Sequence, residues 1–152
     1  MTIKLTANDN AKIFNLAVYG VLLVVFALIL PVVILPIVKL FGYSEIIEEI
    51  ARTIMVFFLI LKLPSQKAQI VGAVVFGLLF GVSENMFYLN NFFQLGNFAV
   101  FWQRFLWTVP MHVIATLVIL FSCLAGRKWI ALGFVEAAIL HLMFNSFTIR
   151  FF

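Results

Sequence analysis

Charge is scarce in this chain: 10 basic and 6 acidic residues among 152, or 11%, beside 65% apolar residues. Together with a mean hydropathy of +1.19, that scarcity excludes a soluble domain of ordinary composition. The single cysteine, Cys123, excludes an intramolecular disulfide and reads as packing within an apolar run. No basic patch exists either, because the ten Lys and Arg are scattered singly or in pairs. The net charge of +4 therefore points away from nucleic acid and toward anionic lipid headgroups at the ends of membrane segments. No compact HExxH motif marks a metal site. The apolar runs do not alternate as the strands of a membrane barrel must. The amino terminus lacks the short apolar core and cleavage site of a signal peptide, so the first apolar stretch is expected to remain as a membrane helix.

What is present is a series of long apolar runs, and each bilayer crossing needs about 20 such residues. The expected fold is an all-α, polytopic transmembrane helical bundle, one domain over residues 1–152, with five spans at about 14–38, 44–63, 68–89, 104–125 and 129–149. Pro31 and Pro36 are expected to kink or end the first span, Ser44 to cap the second, and Pro64 to stop it. Asn90 and Asn91, in a polar break after the third span, read as turn residues. Gly72, Gly77 and Gly81 suggest close helix contact in that span. Lys4, Lys12, Lys62, Lys67, Arg127 and Lys128 fall on one side, against Lys39 and Arg150 with Arg104 near the edge. The excess places the amino terminus inside and the carboxyl terminus outside, with the chain in the cell membrane.

The polar residues inside the spans share a layer. Glu48, Glu49, Glu84, His112, His141 and Asn145 all fall about 6–12 Å from one membrane edge, while Glu136 lies about 20 Å from it and is left out of the set. Glu48 and Arg52 are four apart, as are His141 and Asn145, and Arg104, Thr108 and His112 make one stripe. Charges in hydrocarbon must be paired or wetted, which makes these groups a functional set. Such a set suits activation of water: a carboxylate takes its proton, a His protonates the leaving amine, and an amide donates to the oxyanion. Alternatively Glu84, His112 and His141 hold Zn²⁺ with an open position while another Glu is the base. Spacing does not choose between these. Proton-coupled transport or a channel subunit is the other use of buried acids and imidazoles, although no inverted repeat with broken helices is visible.

Glu48-Glu49-Ile50-Ala51-Arg52, Gly81-Val82-Ser83-Glu84-Asn85 with Tyr88, Arg104 followed by Pro110-Met111-His112, and His141 with Asn145 together resemble the PrsW family of intramembrane proteases. That family is similar to the wider group of CAAX prenyl proteases and bacteriocin-processing proteins. The resemblance implies a membrane endopeptidase, usually regarded as a metalloprotease, acting on a membrane-anchored protein. It implies Glu48 or Glu49 as the water-activating residue, His112 and His141 as essential imidazoles, Asn145 as oxyanion partner, and Glu84 as a ligand or second acid. Arg52 stands where many members have Lys, and Thr108 where the CAAX-type motif has an aromatic. A non-catalytic binding or immunity protein on the same bundle is the remaining alternative.

Overall fold

The computed structural model describes residues 7–95 and 98–151. Lys4, Gly96 and Asn97 lie outside the described residues, as do the side chains of Tyr88, Asn90, Asn91 and Arg150. The described chain is helical: α1 Ala7–Phe41, α2 Ser44–Lys62, α3 Gln66–Leu95, α4 Phe98–Ala125, a 3-10 turn Arg127–Trp129, and α5 Ile130–Phe151. The bundle is therefore all-α, and the links between helices are short enough to make chain neighbours antiparallel.

Helix α1 does not end at its prolines; it runs through Pro31 and Pro36 to Phe41. A proline frees a carbonyl in the preceding turn, and in lipid such a group needs a new partner. One residue beyond the Ala27 carbonyl that Pro31 leaves without its helical donor, the Ser83 hydroxyl of α3 donates to the Leu28 carbonyl at 2.6 Å, which ties α1 to α3. The helix stops at Gly42, whose φ of +69° is readily adopted without a Cβ and whose N–H reaches the Val38 carbonyl at 2.8 Å. Tyr43 follows at φ +54° and is the N-cap of α2. Ser44 is thus not the cap but the first helical residue, because the two left-handed residues turn the chain one position earlier than the sequence suggests. Similarly, α3 continues through Asn90 and Asn91 to Leu95. The polar break expected there is shorter than its composition implies, because asparagine, though a weak helix former, is tolerated in a helix.

At the other end of α2, the carbonyls of Ile60 and Leu63 accept from the Gln69 amide at 3.3 and 3.1 Å. Ser65 caps α3, accepting from the Ala68 N–H at 3.2 Å. Orphan groups at both helix ends thus find partners within the bundle.

The most extensive helix contact joins α3 to α4. A Cβ added at Gly77 would lie 2.7 Å from the Val113 Cα and 2.9 Å from the His112 carbonyl, and one at Gly81 would lie 3.0 Å from the His112 ring and the Val109 Cα. These glycines let the two backbones meet at His112. Gly77→Ala is expected to destabilise the bundle by about 1–3 kcal/mol through backbone overpacking. Gly20→Ala, which meets nothing within 4 Å, should leave the melting temperature in detergent unchanged or slightly raised. Equal behaviour of the two variants would contradict this packing.

Four helices are long and apolar enough to cross a membrane: those covering Asn8–Phe41, Gln66–Phe87, Phe98–Ala125 and Arg127–Thr148. Helix α2 is the exception to the five expected spans. Its 19 residues extend about 28 Å, near the hydrocarbon thickness. Glu45, Glu48, Glu49, Arg52 and Lys62, however, give it too many charges to face lipid all round. Its amphipathic character turns Glu49, Arg52, Met55, Val56 and Leu59 inward, onto a core of Phe76, Phe80, Ile119 and Leu120.

Candidate active site

Adjacent positions on a helix point about 100° apart, so Glu48 and Glu49 meet different sets of neighbours although both lie near His141. Glu49 turns fully inward, with no exposed surface, and accepts from the Arg52 guanidinium three residues on. It also pairs with His141 Nδ1 of α5 at 2.9 Å. Glu48, four residues before Arg52, was the expected helical partner of that arginine, yet the i,i+3 neighbour takes it. The Glu48 side chain instead keeps 12% of its surface exposed and lies 3.7 Å from His141 Nε2. Its Oε2 atom is buried and has no hydrogen-bond partner.

Arg52 is fully buried and connects two helices: one terminal nitrogen pairs with Glu49, the other with His112 Nδ1 at 2.5 Å. Its guanidinium also lies 5.4 Å from the Phe80 ring centroid. Guanidinium has donors only, so His112 Nδ1 accepts and Nε2 carries the proton, donated to Glu84 of α3. Arg104, two turns earlier on α4, stands 3.5 Å from the other Glu84 oxygen. Arg104 and His112 of the Arg104, Thr108, His112 stripe thus face the two Glu84 oxygens, while the Thr108 hydroxyl between them is buried without a hydrogen-bond partner.

His141 has the opposite arrangement. Its Nδ1 faces the Glu49 carboxylate and donates, which leaves Nε2 as an acceptor on the side of Glu48. The two imidazole rings are 5.4 Å apart, edge to face. One continuous series of charged contacts thus runs His141, Glu49, Arg52, His112, Glu84, Arg104, drawn from α5, α2, α4 and α3.

Asn145 is one helical turn from His141, but its amide donates to Glu45 Oε1 at 2.8 Å, at the start of α2. Glu45 was not among the site residues expected from sequence. Its position three residues before Glu48, on the α5-facing side of α2, was the available signal. Asn85, the neighbour of Glu84, is buried and donates back to the Gly81 carbonyl at 2.7 Å. Glu136 is exposed on α5, away from the cluster.

Three donors are grouped closely enough to share one cation: Glu48, Glu84 and His112 each offer a ligand atom, all within 4.8 Å of one another. His141 stands beside this trio, next to Glu48 and Glu49. Two carboxylates and one imidazole suit a divalent ion with an open position. The fit has support in the buried Glu48 Oε2, which has no hydrogen-bond donor and, unlike the equally unpartnered Glu49 Oε2, belongs to a residue that lines a cavity. A cation between Glu84 and His112 would replace the proton they share.

Two members of the trio, Glu48 and Glu84, line a cavity of about 340 Å³ between α1, α2 and α3, together with Pro31, Leu35, Lys39 and Ser44 among others, while His112 is fully buried. No curated protein and no solved structure matches the chain. A family model described as the PrsW family intramembrane metalloprotease matches residues 12–151, which takes in α1 from its sixth residue on, the other four helices and every polar residue of the cluster. Buried acids and imidazoles on four helices, in a bundle of membrane-crossing length, agree with that match, and the chain belongs to the PrsW family of intramembrane metalloproteases.

Proposed function

We propose that this protein cleaves a peptide bond of a membrane-anchored protein, using water activated by Glu48 at a metal centre of Glu84, His112 and Glu48. The observation that carries the reading is the contrast within the glutamate pair. Each carboxylate keeps one buried oxygen without a donor, but the other Glu49 oxygen is held by Arg52 and His141, whereas Glu48 sits in the cavity wall beside Glu84 and within the donor trio.

In this reading Zn²⁺, the divalent ion best suited to mixed imidazole and carboxylate ligands, supplies polarisation of the scissile carbonyl when bound. Glu48 gives one oxygen to the trio and takes a proton from water with the other. The water oxygen bonds to the carbonyl carbon. His141 Nε2, 3.7 Å from Glu48, receives that proton and delivers it to the leaving nitrogen as the C–N bond breaks. Glu49 holds His141 in the tautomer this needs, and Arg52 holds His112 toward Glu84. Asn145, engaged with Glu45, positions α5 against α2; its expected role as oxyanion donor would require it to leave that acid. The amino terminus is read as inside and the carboxyl terminus as outside, with α2 crossing as the interior helix of the bundle.

Metal analysis of the purified protein tests the zinc part. One zinc per chain is expected, retained in His141→Ala and lost in His112→Ala and Glu84→Gln. Full peptidase activity after chelation, with no bound metal, would reject it.

A further inference from the structure

The carboxylate cavity does not stand alone. A second, apolar groove of about 420 Å³ follows the seam between α1 and α2, with Phe26, Ile34, Ile37, Ile50 and Ile54 in its walls. Ile34 lines both, so the groove adjoins the cavity that contains Glu48 and Glu84. Pro31 lines that cavity and Pro36 lies one turn on, so α1 has its weakest backbone hydrogen bonding at the junction.

A groove at the α4–α5 seam provides the comparison. It has nearly the same volume, about 430 Å³, and is as apolar, with Ile114 and Met143 in its walls, but it shares no lining residue with the Glu48–Glu84 cavity. Both grooves can accept lipid chains. Of these two grooves, it is the α1–α2 groove, an apolar trough suited to a membrane-spanning segment, that adjoins a polar chamber suited to an extended peptide.

We infer that the α1–α2 groove seats the membrane-spanning helix of the substrate, and that the adjoining chain passes over Ile34 into the Glu48–Glu84 cavity for cleavage. This rests on the proposed proteolytic function and adds the side of the bundle from which the substrate's helix enters. Binding energy from the seated helix is then available to orient the scissile bond, as remote substrate contacts are in other enzymes. Lys39, at the cavity wall beside Ser44, sits where the substrate emerges from the hydrocarbon and is suited to an acidic side chain or a backbone carbonyl there.

The test uses the full chain in phosphatidylcholine vesicles with a defined probe: a helix of about 20 leucine and alanine residues joined to a randomised extramembrane segment carrying a fluorophore. A photoreactive benzophenone amino acid is placed at Ile50, 49% exposed, or at Ile114, 50% exposed, as the matched control on the other groove. Cross-linking to the anchored probe is expected to be several-fold stronger at Ile50 than at Ile114. The unanchored randomised segment should compete poorly. Equal cross-linking at the two positions, or capture of lipid alone at Ile50, overturns the inference.

Cleavage is read separately in the unlabelled protein. Cleavage without preferential cross-linking removes the groove and leaves the proteolytic reading. Preferential cross-linking with no cleavage leaves the groove and removes that reading. In a further arm, Ile50→Trp is expected to slow cleavage of the anchored probe about tenfold while sparing the unanchored segment, because it fills the groove without touching the cavity. Equal slowing of both would also contradict the inference.

Discussion

Glu48→Gln is expected to slow cleavage of a membrane-anchored substrate by about 10²–10⁴-fold, the range for loss of a positioned general base. The fold should survive the change, because Glu48 Oε2 has no hydrogen-bond donor to lose. Glu49→Gln should behave differently. It removes the charge that faces Arg52 and His141 in a fully buried position, so its first effect is on stability and its effect on rate follows from misplaced imidazoles. Initial rates in vesicles, set beside melting temperatures in detergent, separate the two. If Glu48→Gln unfolds the protein and Glu49→Gln leaves it stable but inactive, the assignment within the pair is reversed.

The largest stability effect is expected at Arg52. Truncation to Met leaves Glu49 buried without its counter-charge and His112 without the donor on Nδ1, and breaking one side of a buried pair costs about 3–5 kcal/mol. Removing both partners is gentler, since a buried pair replaced by neutral groups of similar volume is often nearly neutral. The double variant Arg52→Met with Glu49→Gln should therefore regain most of the stability that the single variant loses, without regaining activity. Equilibrium unfolding in mixed micelles checks this. A single variant as stable as the parent would show that Arg52 is solvated, contrary to its complete burial.

The fold class was legible in the sequence because hydrocarbon allows few ways to satisfy a backbone, and long uncharged runs leave helices as the solution. Helix ends were less legible. Tyr43 in the left-handed region caps α2 where Ser44 was the natural candidate, and Asn90 and Asn91 remain helical although their composition suggests a turn. These depend on a few tenths to one kcal/mol of local preference, which tertiary contacts override.

The shared depth of the acids and imidazoles brought the relevant helices to notice, and the structure places Glu48, Glu49, Glu84, His112 and His141 in one cluster. Their partners were not readable. Helical spacing allows Arg52 to reach either Glu48 or Glu49, and only the position of α5, carrying His141 onto Glu49, decides it. Spacing likewise could not distinguish His141 from Glu48 as the third member of a donor trio with Glu84 and His112, because that depends on how α2 and α5 sit relative to α3. Glu45, which engages Asn145, was overlooked because an acid in the first turn of a helix is commonplace.

X-ray absorption at the zinc edge of the zinc-loaded protein tests the central claim most directly. A trio of Glu48, Glu84 and His112 predicts one imidazole and two carboxylate ligands at about 2.0–2.2 Å, with the imidazole signal unchanged in His141→Ala and absent in His112→Ala. A shell with two imidazoles, one of which disappears in His141→Ala, would contradict it.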